Sequence, residues 1–335
     1  MILVTGGAGF IGSHLVASLA AAGQPVRVFD DLSTGREANL AGVAGKFELV
    51  RGSLVDLAAL TRACAGVTTL YHLAACPSVP KSFDEPADCH AINATGTLHV
   101  ALAAAQANVR RVVFASSCAI YGDAGEAPAN ESRAPQPKSP YAAQKLLGEH
   151  YLADFGAARG FAAVALRFFN VYGPRQDPGS PYSGVISIFC ERLLRGEPVT
   201  IHGDGRQTRD FVFVEDVVQA LRLAGEGDAP HGAVMNVATG ESRSLLELHA
   251  ALARLAGRDA APRHGPARPG DIVRSAADIA RISALLRYRP RVRFEDGLAS
   301  TLAWYRERAA PRGASGAGPA TGPANGPQRT HGGDR

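Results

Sequence analysis

At 335 residues, 46% hydrophobic and 20% charged, the chain can bury a sizeable core and has the balance of a soluble globular protein. A net charge of only +4, with no dense basic run and no interleaved aromatics, argues against nucleic-acid binding, and no apolar run is long enough to span a bilayer. The five cysteines, Cys64, Cys76, Cys89, Cys118 and Cys190, are scattered without a C-x-x-C pair, which makes a poor disulfide framework or metal site and fits a reducing, cytoplasmic compartment.

Met1 to Thr5 is apolar, lacks a basic leader and runs straight into Gly6-Gly7-Ala8-Gly9-Phe10-Ile11-Gly12, so it reads as a strand and not a signal peptide. Ser13 to Ala22 has helical periodicity, and Pro25 to Asp30 reads as a second strand. In this strand, glycine turn, helix, strand unit, Gly6 permits the tight turn, Gly9 lets backbone approach a pyrophosphate, and Gly12 allows close helix–strand packing. The helix N-terminus offers free N–H groups and partial positive charge to phosphates. Asp30 ends the next strand and can accept hydrogen bonds from an adenosine ribose; it would repel a 2′-phosphate, so NAD is favoured over NADP.

The alternation continues with strands at Phe47–Val50, Thr69–Ala75, Val112–Ser117 and Ala162–Phe168, and helices at Leu57–Cys64, Ala91–Ala107 and Pro140 to Ala158. It predicts an α/β fold of Rossmann type, a doubly wound parallel sheet with its ligand at the carboxyl ends of the strands. Gly6, Asp30, Ala74, Ser117 and Asn170 all fall at or just beyond such ends. Ser139 is a good N-cap and Pro140 suits the first helical position, which puts Tyr141 and Lys145 on one helix face. A lysine ammonium near a phenol favours the phenolate and lowers its pKa, making Tyr141 a usable general base.

After Asn170 the pattern loosens around Pro174, Pro178 and Pro181. Helices are expected at Val185–Leu194, Glu215–Ala224, Ser244–Leu255 and Ala277–Leu286, and strand pieces at Val199–His202, Arg209–Val214 and Val234–Ala238. The organisation read from this is a cofactor-binding domain over residues 1–172, a smaller α/β substrate domain over 173–308 interleaved with the end of the sheet, and a Gly-, Pro- and Ala-rich disordered tail over 309–335.

Glycine loop, Asp30, the strand ending Ser116-Ser117 and Tyr141-x-x-x-Lys145 together resemble the extended short-chain dehydrogenase/reductase family, the sugar-nucleotide epimerases and dehydratases. Within it the chain looks most like the UDP-hexose 4-epimerases, through His72-Leu73-Ala74-Ala75, Ser116 to Gly122, Arg167 to Arg175, Arg209-Asp210-Phe211 and Arg268-Pro269-Gly270-Asp271. The resemblance implies NAD-dependent epimerisation of a UDP-sugar at C4: Tyr141 is the base, Lys145 its electrostatic partner and a ribose ligand, and Ser117 bonds the sugar O4. C4 gives hydride to NAD, the 4-keto sugar turns over about its diphosphate, and hydride returns to the opposite face.

For the cofactor it implies Phe10 and Ile11 beside the glycines, Asp31 beside Asp30, and Ser53 with Leu54 at the adenine. Leu73, Ala74, Ala75, Asn93, Ser116 and Phe168 follow at the other strand ends. For the substrate it implies Asn170 at the nucleotide-sugar, Gly184, Val185, Thr200 and His202 around the nucleotide, Arg209 and Arg268 on the diphosphate and Asp271 on the uridine ribose. Arginine's planar fork suits two phosphates. Ser53 stands where relatives carry an Asp, and His202 where an aromatic often faces uracil. Ser275, four residues after Asp271, stands where a tyrosine restricts relatives to simple hexoses, so room for an N-acetyl group is expected. No metal is expected, and a homodimer is, through the Ala-rich helices at 91–107 and 141–158. A 4,6-dehydratase would need an acid and a carboxylate where Cys118 and Ala119 stand. A UDP-glucuronate epimerase or decarboxylase stays open, and a non-catalytic NAD-binding regulator has no need of an intact Ser117, Tyr141 and Lys145.

Overall fold

The computed structural model describes residues 1–123, 125, 128–177, 184–258, 261–267 and 273–309. The first half of the chain alternates β1 (Ile2–Thr5), α1 (Phe10–Ala21), β2 (Val26–Asp30), β3 (Phe47–Arg51), α2 (Leu57–Ala63) and β4 (Thr69–His72). Two short helices, α3 (Val79–Asp84) and α4 (Pro86–His90), lead through a π-helical turn, Ala91–Thr95, into α5 (Gly96–Gln106), β5 (Arg111–Ser117), α6 (Pro140–Arg159), β6 (Ala162–Phe168) and β7 (Asn170–Tyr172). The second half runs α7 (Val185–Arg195), β8 (Thr200–His202), β9 (Thr208–Arg209), β10 (Phe211–Phe213), α8 (Val214–Glu226), β11 (Ala233–Val237), β12 (Arg243–Ser244), α9 (Leu245–Ala256), β13 (Arg263–Gly265), α10 (Ala280–Leu286) and α11 (Phe294–Ala309).

Seven strands form one parallel sheet in the order β11-β6-β5-β4-β1-β2-β3. This is the expected doubly wound α/β fold. From β1 the chain winds outward through β2 and β3, then returns to β4 and winds the other way. The seam between β1 and β4 is therefore the switch point where such sheets open a crevice. Side chains of β5 show why both faces must be covered: Val113 and Ala115 enter the core under α1 and α8, while Val112 and Phe114 enter the core under α2, α5 and α6. A third apolar cluster, with Phe189, Leu193, Leu248, Leu252, Leu298 and Leu302, joins α7, α9 and α11. Strand β11, far along the chain, closes the edge of the main sheet beside β6.

Three local expectations shift. Helix α1 starts at Phe10 and not Ser13, because Gly9 takes the N-cap position. Strand β4 stops at His72 and leaves residues 73–75 as a loop over the switch point. Helices α3, α4 and α11 add to the elements expected from the sequence. No helix among the described residues is long and apolar enough to cross a membrane. Residues 310–335 lie outside the described residues.

Candidate active site at the carboxyl edge of the sheet

The turn after β1 is shaped by close approach. Gly6 has φ +69°, and a Cβ there would fall 2.7 Å from the Ala74 nitrogen. A Cβ on Gly12 would meet the Gly6 carbonyl oxygen at 2.1 Å, so α1 leans on the turn through bare backbone. A Cβ on Gly9 would press on the Gly6 oxygen, at 3.2 Å, and meet no other atom within 4 Å. Gly9 caps α1 with extended backbone and no side chain, and the first turn holds no acidic residue. Its N–H groups are thus offered to an anion. Asn39 and the Arg36 N–H both donate to the Ala8 oxygen, at 2.9 and 3.0 Å, and pin this loop.

At the end of β2, Asp30 is buried; its carboxylate accepts from the Ala8 and Leu32 N–H groups, each at 2.9 Å, and burial raises its pKa. Each oxygen keeps a further lone pair for a hydroxyl. Asp31 is exposed and accepts from Ser33. After β3, Ser53 is half-buried and Leu54 buried, packed against the backbone of Gly96. An open cradle, free helix N–H groups and a buried carboxylate on the next strand are the features a dinucleotide requires, and they fit one without a 2′-phosphate.

Across the seam, Leu73, Ala74 and Ala75 lie at the glycine turn: the Leu73 N–H bonds the Thr5 carbonyl at 3.2 Å and the Ala74 N–H bonds the Thr5 hydroxyl at 3.3 Å. His72 is buried and bridges the hydroxyls of Thr5 and Thr97, at 2.9 and 3.0 Å; burial pulls its pKa down to about 3, so the ring is neutral. Asn93, expected at the cofactor, has both ends of its amide engaged within the protein. Its oxygen accepts from the Cys76 N–H at 2.8 Å, and its nitrogen donates to the Cys76 carbonyl at 3.1 Å and to Gln144 at 2.9 Å.

Helix α6 starts as predicted: Ser139 accepts from the Ala142 N–H at 3.2 Å and Pro140 fills the first turn. The Tyr141 N–H is held by the Ser82 hydroxyl at 3.1 Å, a contact from α3 that spacing alone did not reveal. The Tyr141 phenol lies close enough to the Ser117 hydroxyl, at the end of β5, for that hydroxyl to favour the phenolate. One turn on, Lys145 is buried, donates to the Ala115 carbonyl at 2.8 Å and lies 4.8 Å over the Phe114 ring. The expectation that Lys145 lowers the tyrosine pKa is corrected here. Burial pushes Tyr141 up to about 12, opposed by the Ser117 hydrogen bond, while the ammonium is tethered to Ala115, 5.9 Å from the phenol ring centre. Burial also pulls Lys145 down to about 8, against the raising effect of Glu149.

Behind them lies a buried ion pair. Arg167 forks onto Glu149 with bonds of 2.9 and 2.7 Å, and Ser116, also expected at the cofactor, donates its hydroxyl to Glu149 at 2.5 Å. The guanidinium sits 4.8 Å over the Tyr121 ring, whose hydroxyl bonds Asn236 at 2.7 Å.

On the other rim, Phe168 ends β6, buried in the core, and the Asn170 amide donates to the Asp210 carbonyl at 3.3 Å. The Asp210 carboxylate is fully buried and accepts from the Thr239 N–H and hydroxyl and the Gly240 N–H at 2.7–2.8 Å; burial raises its pKa to about 6 against those bonds. Cys118 is close enough to Arg209, Asp210 and Tyr141 for their charges to be felt, and burial pushes its thiol up to about 12. Arg209 lies on β9; beside it the Ser275 N–H bonds the Thr208 carbonyl at 3.0 Å, so Ser275 is brought to the same rim. Gly184 caps α7 and Val185 opens it. Thr200 is exposed, and His202 pairs with Gly265 of β13 and bonds the Pro266 carbonyl at 3.1 Å. Arg268 and Asp271 lie outside the described residues. Phe10 and Ile11 point away from the cradle into the third apolar cluster, His14 bonds the Pro174 carbonyl at 2.9 Å, and Arg36 pairs with Asp177.

The sequence pattern of the family described as "NAD dependent epimerase/dehydratase family" matches residues 2–238. The chain is 43% identical over 312 residues to a UDP-glucose 4-epimerase of Mycolicibacterium smegmatis, covering 92% of this chain and 99% of that one. A solved structure of UDP-N-acetylglucosamine 4-epimerase from Methanobrevibacter ruminantium, in complex with UDP-N-acetylmuramic acid, superposes with a TM-score of 0.88 at 38% identity, covering 92% and 98% of the two chains. UDP-glucose 4-epimerase of Thermus thermophilus, solved with NAD, gives a TM-score of 0.83 at 41% identity over 91% and 98%.

Proposed function

The chain belongs to the NAD dependent epimerase/dehydratase family, and from that premise we propose that it interconverts UDP-hexoses at C4. The observation that carries this reading is the hydroxyl pair of Tyr141 and Ser117 with Lys145 one turn behind, at the carboxyl edge and with no proton-transferring carboxyl beside it among the described residues. Dehydration across C5 and C6 needs such a carboxyl. Here the residues after Ser117 are Cys118 and Ala119, the thiol is pushed up to about 12, and Asp210 is held by Thr239 and Gly240.

Gly6, Gly9, Gly12 and the start of α1 hold the cofactor pyrophosphate, Asp30 the adenosine ribose, Ser53 and Leu54 the adenine edge, and the loop at 73–75 the nicotinamide half. NAD held by these residues would supply a reversible hydride acceptor for C4 of the sugar and a positively charged ring beside Tyr141. Tyr141, as the phenolate that the Lys145 ammonium and the cofactor's positive ring would favour against its burial, would accept the proton of the 4-hydroxyl and return it, and Ser117 would orient that oxygen. Lys145, protonated below about pH 8, supplies charge behind the phenol. Arg209 and Arg268 grip the diphosphate, Asn170 the nucleotide-sugar and Asp271 the uridine ribose, with Gly184, Val185, Thr200 and His202 around the base, and Ser275 leaves the sugar 2-position open to an acetamido group.

The test is proton NMR of product mixtures from UDP-glucose, UDP-N-acetylglucosamine and UDP-glucuronate with the wild type and Tyr141→Phe. We expect C4 epimers from the first two and a loss of about 10²–10⁴-fold in the variant, with UDP-sugar binding kept within a few fold. A variant that keeps most of its turnover removes Tyr141 as the base, and release of carbon dioxide from UDP-glucuronate replaces the epimerase reading by a decarboxylase.

A further inference from the structure

Cys76 and Cys89 are separated by 13 positions and share no sequence motif, yet their sulfur atoms lie 2.9 Å apart. Cys89 sits on α4, fully buried, while Cys76 follows the loop after β4 and is 8% exposed. The backbone of Cys76 is gripped on both sides by the Asn93 amide. Two residues before it stands Ala74, whose nitrogen the Gly6 turn presses against and whose N–H bonds Thr5. Cys76 is also near enough to the Tyr141 phenol for the two to sense each other's charge. Two thiols in contact are thus linked by three residues of chain to the seam that carries the glycine turn.

We propose that Cys76 and Cys89 form a reversible dithiol/disulfide pair, and that closing the disulfide weakens cofactor binding and turnover by dragging the loop at 73–75. A peroxide is the oxidant class. The Cys76 thiolate attacks one peroxide oxygen, the O–O bond breaks, water leaves after protonation, and a sulfenic acid remains. The Cys89 sulfur then attacks that sulfenic sulfur, the S–S bond forms, and a second water leaves with the Cys89 proton. Two electrons pass from the two thiols to the peroxide. Cys76 takes the first step because, of the two, only it reaches the surface. Cys89 is the resolving partner, its thiol pushed up to about 12 by burial and by its neighbour's sulfur.

A disulfide draws its sulfurs to about 2.05 Å, so the pair must close by roughly 0.9 Å. With α4 packed on α3 and α6, the compliant side is the loop. A displacement of about 1 Å near reacting groups costs on the order of 10²-fold in rate, and even partial transmission predicts a loss of about tenfold or more.

The experiment treats the full-length protein with hydrogen peroxide, then with dithiothreitol, and reads three quantities: a Cys76–Cys89 cross-linked peptide by mass spectrometry, NAD affinity by titration calorimetry, and turnover. We expect the cross-link, a lower NAD affinity, a loss of turnover of about tenfold or more, and recovery of both on reduction. Cys89→Ala, which leaves Cys118 in place, should show no cross-link and no reversible loss. Absence of the cross-linked peptide in oxidised wild type overturns the proposal, as does a cross-linked protein with unchanged NAD affinity. The turnover arm rests on the epimerase reading, but the cross-link and affinity arms do not. Failure of that reading shows as inactivity of the reduced protein, separately from the fate of the dithiol.

Discussion

Removing one charge behind the site tests whether the buried ion pair supports the helix that carries Tyr141. In Glu149→Gln, Arg167 loses the negative charge it bonds at 2.7 and 2.9 Å, and one of the two acceptor oxygens becomes an amide nitrogen that cannot accept from it. The side chains of Arg167 and Glu149 are only 5% and 6% exposed, so water cannot take the partner's place. Breaking a buried pair by removing one member costs about 3–5 kcal/mol, because the remaining charge is stranded. For chains of about this size or somewhat smaller, each kcal/mol moves the melting temperature by roughly 2–4 °C, giving a fall on the order of 6–20 °C by scanning calorimetry. Glu149 also counters the burial that pulls Lys145 down, so the lysine in this variant loses its proton below about pH 8. The double variant Glu149→Gln, Arg167→Met removes the stranded charge and should recover most of the stability. A melting temperature within about 2 °C of wild type for the single variant, or a double variant less stable than the single, refutes the account.

Other outcomes follow from the same geometry. Lys145 has its pKa lowered in the fold to about 8, from the ordinary 10.5, so its contribution to stability is largest above 10.5 and is lost as pH falls through about 8; its ammonium is present only below about 8, and kcat should fall as pH rises through that value. A kcat that holds level to about pH 9.5 removes the ammonium from the mechanism. Ser275→Tyr should abolish turnover of UDP-N-acetylglucosamine and spare UDP-glucose, measured by coupled assay; equal loss of both would show that the residue does not border the acetamido position. We expect a homodimer through α5 and α6, where Leu98, Leu102, Leu146, Leu147 and Tyr151 are only half-buried, and a monomer mass by light scattering at micromolar concentration would exclude it.

The sheet was legible because its strands are apolar runs between turn residues, interrupted only by single polar residues such as Arg27 and Glu48, and the Tyr141 helix because Ser139 and Pro140 mark its start. Helix α11 carried a readable signal, Leu298, Leu302 and Tyr305 at helical spacing, all buried. Helices α3 and α4, of 6 and 5 residues, are too short to display a period. The arrangement of side chains around the site was less visible. Spacing put Lys145 beside Tyr141 but could not tell that its ammonium is held by the Ala115 carbonyl. The Arg167–Glu149 pair, the clamp on Asp210 by Thr239 and Gly240, and the meeting of Cys76 with Cys89 all join elements whose proximity is decided by packing, and no local pattern records them.

Helix α1 faces two ways. Its N-terminal turn opens onto the cradle above Gly9, while Phe10 and Ile11 are rooted in the apolar cluster of the second half and His14 is bonded to the Pro174 carbonyl. A ligand that settles this turn therefore also settles the segment from which the opposite wall of the crevice begins. Affinity for a ligand on one side should then depend on occupancy of the other, and by linkage the factor would be the same in both directions. A change at Phe10 should therefore alter ligand affinity on both sides of the crevice together.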